Sequence, residues 1–141
     1  HLAWYLQTLR ADVVEVLPEA GHRARALLSV DADTLLVVFD YRPYQPDTSA
    51  FATAAAQLGA KVLLVCDRNL SPIAPGAELV LATAVDGPPP FASTVGGLMV
   101  VETLIGAVAG RLGAAARQRL AAFEAQLDHD GESAIPDFGI A

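Results

Sequence analysis

The chain has 141 residues, one domain's worth, with room for a real core. Hydrophobic residues make up 53% and charged residues 18%, which fits a sheet buried on both faces and a further surface buried against another chain. A net charge of −7, with nine scattered basic residues that are all Arg except Lys61, excludes direct gripping of a phosphate backbone by this segment, since that needs clustered cations.

Residues 1–10 (HLAWYLQTLR) read as a helix with Leu2, Tyr5, Leu6 and Leu9 on one stripe and no cap before it. Val13 to Leu17 reads as a short strand that stops at Pro18. Gly21 to Val30 follows as a second helix, and Asp31-Ala32-Asp33 as a turn. Thr34 to Asp40 (TLLVVFD) is then a continuous apolar run that ends on a carboxylate. Lys61 to Asp67 (KVLLVCD) repeats the pattern. Runs of this length between turn residues predict strands buried on both faces, as in parallel sheets. Between them, Thr48 to Leu58 is an Ala-rich helix pattern, with Gly59 placed for a left-handed cap. The unit is βαβ, and its polar, aromatic loop from Tyr41 to Thr48 lies at the carboxyl end of the first strand, the edge where open α/β sheets bind ligands.

After Asp67, Ser71-Pro72 has the form of an N-cap and first position of a short helix, broken by Pro75-Gly76. Leu79 to Ala84 is a further strand, and Asp86-Gly-Pro-Pro-Pro90 a rigid loop. Ser93 or Thr94 caps a long apolar helix that reaches Leu112. Its most apolar part, Val95 to Gly110, is short for a membrane span and is interrupted by Glu102 and Thr103, so a buried core or interface helix is expected. Gly113 punctuates, Ala114 to Leu127 is a last amphipathic helix, and residues 128–141 read as a tail. No secretory leader pattern is visible. The single cysteine, Cys66, reads as a core thiol, and His1, His22 and His129 have no metal-ligand spacing.

Taken in order, the pieces LAWYLQTLR, TLLVVFDYRPY with Thr48, LGAKVLLVCDRNLSPIA, LVLATA and STVGGLMVVETLIGAVAGRLG resemble the SIS (sugar isomerase) domain of RpiR-type bacterial transcription regulators. The resemblance covers residues 1–127. It implies a three-layer α-β-α, flavodoxin-like α/β fold with a parallel five-stranded sheet. The family's first, central strand would lie before His1, between the strands at 13–17 and 34–40. It also implies a cytoplasmic homo-oligomer that senses a small effector, a sugar phosphate above all, without cofactor or metal and away from the membrane. DNA would be met only through a helix-turn-helix domain upstream. The alternative is an aldose-ketose isomerase acting on a sugar phosphate.

In the family, a Ser-x-Ser-Gly-x-Thr loop holds the phosphate at a helix N-terminus. Here that place reads Phe39-Asp40-Tyr41-Arg42-Pro43-Tyr44, with Thr48 later, so the Gly is gone and a carboxylate replaces a hydroxyl. The candidate ligand-binding residues are Asp40, Tyr41, Arg42, Tyr44, Thr48, Ser93, Thr94 and Glu102. Arg42 supplies the cation, whose fork suits phosphate or carboxylate. Asp40 reads ligand hydroxyls, caps the next turn or pairs with Arg42. Tyr41 and Tyr44 stack on a sugar or pack beside proline. Thr48, Ser93 and Thr94 are helix caps that can also meet an anion. Glu102, in a helix expected to be buried, needs a partner; in SIS isomerases a Glu of this region is the proton-transfer base, and in regulators it contacts ligand or the dimer partner. No residue is assigned a catalytic role.

Overall fold

The computed structural model describes residues 1–129. The helices are α1 (Leu2–Leu9), α2 (Ala20–Leu27), α3 (Pro46–Gln57), α4 (Val95–Leu112) and α5 (Ala114–His129), and the strands are β1 (Leu35–Asp40), β2 (Lys61–Asp67) and β3 (Leu79–Thr83). The described residues form two compact units, residues 16–100 and residues 1–15 with 101–129.

The sheet lies in the first of these. It is parallel throughout, in the order β1-β2-β3, with Leu35 beside Lys61 and Leu63 beside Leu79 at the start of each ladder. β2 is central and buried at every residue except Lys61, as a strand covered on both faces must be. Val38, Val62, Leu64 and Cys66 form one core face with Ala52 of α3 and Ile73, so Cys66 is a core thiol. α3 opens with Pro46 at its first position and closes into Gly59, whose φ of +105° is the left-handed conformation expected there.

In the second unit, α1 packs along α5. Trp4 stacks edge-on against both Tyr5 and Phe123, and the Arg119 guanidinium donates to the Gln7 carbonyl at 3.1 Å. Gly113, at φ +55°, separates α4 from α5.

Four expectations change. Val13 to Leu17 is not a strand: it pairs with nothing in the sheet, and Val14 is 71% exposed. β1 is accordingly an edge of the three-stranded sheet, and no further strand lies beside it among the described residues. The turn after Ser71 is a 3-10 turn at Ala74–Gly76 that contains Pro75 and Gly76 rather than being broken by them. The helix at the end runs to His129, two residues past its expected end at Leu127; residues 130–141 lie outside the described residues. α4 is not a core helix, because only Gly97 and Val101 of its residues are buried, and by length and composition alone it is sufficient to cross a membrane.

Candidate functional site

The carboxyl ends of the three strands carry the polar residues of the sheet. Asp40 ends β1, Asp67 ends β2 and Thr83 ends β3, all three buried. β1 and β2 continue into loops that fold back over these ends.

Asp67 organises the first loop. Its Oδ2 accepts from the Arg42 backbone N–H at 3.1 Å and from Arg42 Nε at 3.3 Å. Its Oδ1 accepts from the Tyr44 hydroxyl at 3.0 Å and from the Asn69 N–H at 2.8 Å. Burial pushes this carboxyl up, but the Asn69 and Arg42 N–H groups, the Tyr44 hydroxyl and the Arg42 charge outweigh it and hold the carboxyl below the usual range. Burial, with the hydrogen bond to Asp67 and its charge, pushes the Tyr44 phenol up. The Asn69 side-chain oxygen also accepts from the Arg42 guanidinium, once its amide is oriented to match its neighbours. Arg42 is thus gripped along one edge while its side chain stays half exposed.

Asp40 points inward instead. Its Oδ2 accepts from Ser71 Oγ at 2.5 Å and its Oδ1 from the Gln45 N–H at 3.3 Å. Ser71 Oγ in turn accepts from the Ile73 N–H at 3.2 Å, so one buried carboxylate ties both loops together.

Tyr41 reaches across β2. Its hydroxyl shares a 3.0 Å hydrogen bond with Thr83 Oγ1 and lies against Gly97 in the first turn of α4. A Cβ at Gly97 would come within 2.5 Å of that hydroxyl, so the absence of a side chain there permits the approach. Ser93 Oγ accepts from the Val95 N–H at 3.3 Å, and the Thr94 carbonyl accepts from Leu98, so this pair starts α4 as expected of caps. Tyr41, Arg42, Asp67, Val85, Ala92, Ser93 and Thr94 line a cleft of about 240 Å³. The first-turn amides of α4 have no helical acceptors, which favours negative charge near them.

Of the expected site residues, this cleft brings together Tyr41, Arg42, Ser93 and Thr94. Asp40 and Tyr44 sit behind it, turned to scaffold partners. Thr48 lies in the first turn of α3, where its hydroxyl accepts from Arg23 at 3.5 Å. Glu102 is exposed rather than buried, belongs to the other unit, and meets His1 Nε2 at 2.6 Å. The partner of Arg42 is Asp67, not Asp40. Asp67 is the residue the sequence reading passed over, although β2 ends on a carboxylate just as β1 does. Among the described residues no three His, Cys, Asp or Glu side chains converge as a metal site.

A parallel sheet with a polar cleft at its carboxyl edge, closed by a helix N-terminus, defines an α/β domain whose cleft lies where open α/β sheets bind ligands. The family model for the SIS domain matches residues 1–107, and the chain belongs to that family. Among solved structures it is similar to the sugar isomerase domain of an RpiR transcription factor from Sphaerobacter thermophilus, at 28% identity and TM-score 0.75, over 91% of this chain and 69% of that one. It shares its fold with the Vibrio vulnificus NanR protein complexed with ManNAc-6P, at 15% identity and TM-score 0.74, over 91% of this chain and 49% of that one. No curated protein matches significantly.

Proposed function

We propose that residues 1–127 are the effector-sensing and dimerisation domain of an RpiR-type transcription regulator. On this reading the domain binds a sugar phosphate or similar small sugar-derived anion at the sheet edge without turnover and acts in the cytoplasm. A helix-turn-helix domain supplies the DNA contact. The observation that carries the reading is the cleft itself. It presents one anchored guanidinium, three hydroxyl side chains and the N-terminus of α4, which together recognise a polyhydroxylated anion. Asp67 in its wall and Asp40 behind it are both engaged by hydrogen bonds from the protein, so they support recognition rather than proton transfer. The similarity to an RpiR transcription factor and the fold shared with an effector-bound NanR point the same way.

The dimerisation part rests on α4. Val95 and Leu98 are exposed at 62% and 50%, and Gly106 and Gly110 face open space where another backbone can approach. Light scattering of the full-length protein should give a dimer or higher oligomer; a monomer at micromolar concentration contradicts this.

One observation favours the isomerase alternative. The 2.6 Å Glu102–His1 pair joins a carboxylate to an imidazole, the kind of couple that proton transfer between sugar carbons uses. Calorimetry of the full-length protein against sugar phosphates and sugar acids separates the readings. Saturable binding, weakened about tenfold or more by Arg42→Ala, is expected. Binding that Arg42→Ala leaves unchanged removes the site assignment, and isomerisation of any ligand moves the protein to the enzyme class.

A further inference from the structure

Granting that the cleft binds a sugar-derived anion, we infer that Asp67 sets the charge it accepts, tuning the site to a sugar with one negative charge, a sugar carboxylate, and against a dianionic sugar phosphate. Arg42 is the one cation among the residues lining the cleft. Its Nε and its backbone N–H both go to the same Asp67 oxygen. Asp67 is only 1% exposed and closes the central strand, so it cannot swing away to free the guanidinium. The ion pair is therefore a fixed part of the site, and the positive charge a ligand meets is already offset.

The balance can be followed residue by residue. The guanidinium contributes one positive charge and the N-terminus of α4 about half of one. Asp67 removes one, and a second carboxylate, Asp40, stands at the end of the neighbouring strand. The segment leading into α4 offers the hydroxyls of Ser93 and Thr94, and Asp86 adjoins Val85. This balance leaves about half a positive charge before Asp40 is counted, so a carboxylate at −1 is left with a smaller excess of negative charge than a phosphate monoester at about −1.5 to −2. The Arg42 guanidinium, half exposed, keeps N–H donors beyond those taken by Asp67 and Asn69 with which to meet a carboxylate. The hydroxyls of Tyr41, Ser93 and Thr94 remain for the polyol part. Asp67 is a positioning residue here, because it acts through Arg42.

The test is calorimetry of the full-length protein with uronates and aldonates, each against the phosphate of the corresponding sugar, at about pH 7.5 and about pH 5.5. At the higher pH the carboxylates should bind about tenfold tighter or better. At the lower pH the phosphate, with its second pKa near 6, becomes largely monoanionic, and its disadvantage should shrink several-fold. Among the described residues no histidine lines the cleft. Asp67→Asn, which keeps the shape and loses the charge, should narrow or invert the preference at pH 7.5. The native-protein pH comparison stands on its own if that variant folds poorly. Tighter binding of phosphates at pH 7.5 overturns the inference and leaves the effector-binding reading intact. A preference that moves neither with pH nor in a folded Asp67→Asn variant also overturns it. Binding of neither class removes the reading on which it rests, and the inference with it.

Discussion

Asp40 and Asp67 close neighbouring parallel strands and are 2% and 1% exposed, yet their partners lie in different parts of the site. Asp40 receives Ser71 Oγ and the Gln45 N–H, groups that shape the loops. Asp67 receives Arg42, a half-exposed side chain that faces the cleft, and Tyr44 behind it. The same residue type, at the same edge, is scaffold on one strand and part of the recognition surface on the next. Burial alone does not tell the two roles apart; the exposure of the hydrogen-bond partner does.

That contrast is broken most severely at Asp40. Asp40→Ala leaves the Ser71 hydroxyl and the Gln45 N–H without their acceptor and should cost about 2–4 kcal/mol in urea unfolding. A loss under about 0.5 kcal/mol would mean that Asp40 is not scaffold. Next comes Gly97→Ala. The added methyl meets a Tyr41 hydroxyl already tied to Thr83, so either Tyr41 or α4 must move, at about 1–3 kcal/mol and with weaker ligand binding. Unchanged stability and affinity would show that Tyr41 is not held in the cleft wall.

The pH dependence sharpens the comparison from the Asp67 side. Its folded pKa is depressed, so its contribution is fully present above the unfolded value of about 4 and is lost as pH falls through the folded value. Urea midpoints of the native protein should therefore fall more steeply on acidification below about pH 4 than those of Asp67→Asn. Tyr44 has the opposite sign: its raised pKa contributes stability below about pH 10 that is lost as pH rises through the folded value, and Tyr44→Phe should remove that loss. Parallel curves for native protein and variant contradict either assignment. The smallest effect on stability belongs to Arg42→Ala, whose side chain is half exposed. It should change unfolding by less than about 1 kcal/mol while costing most of the ligand affinity.

The sequence carried the sheet better than the site. β2 was legible because a central parallel strand must be apolar on both faces, and KVLLVCD is. Gly59 was legible because its conformation is one other residues avoid. Val13 to Leu17 misled because the same residues favour extended chain whether or not a neighbour pairs with it, and pairing is what makes a strand. Glu102 misled because its helix is apolar all round, a pattern that reads as burial, whereas little of α4 is buried in a single chain. Arg42, Tyr41, Ser93 and Thr94 could be found because they follow strands or precede a helix. The Arg42–Asp67 pair could not, because 25 residues separate the partners and only the parallel register of β1 and β2 brings them together.

The central claim, that ligand enters the cleft at the sheet edge, is tested most directly by nuclear magnetic resonance. A sugar carboxylate or sugar phosphate is titrated into isotope-labelled protein while backbone amides are followed. A larger cavity of about 320 Å³, between α3 and the 3-10 turn and lined by Ala52, Ala56, Pro72 and Gly76, provides an internal control. Saturable shifts concentrated on Tyr41, Arg42, Asn69 and the run from Ser93 to Gly97 are the predicted result. Shifts concentrated on Ala52, Ala56 and Gly76, with the cleft residues unmoved, would contradict it.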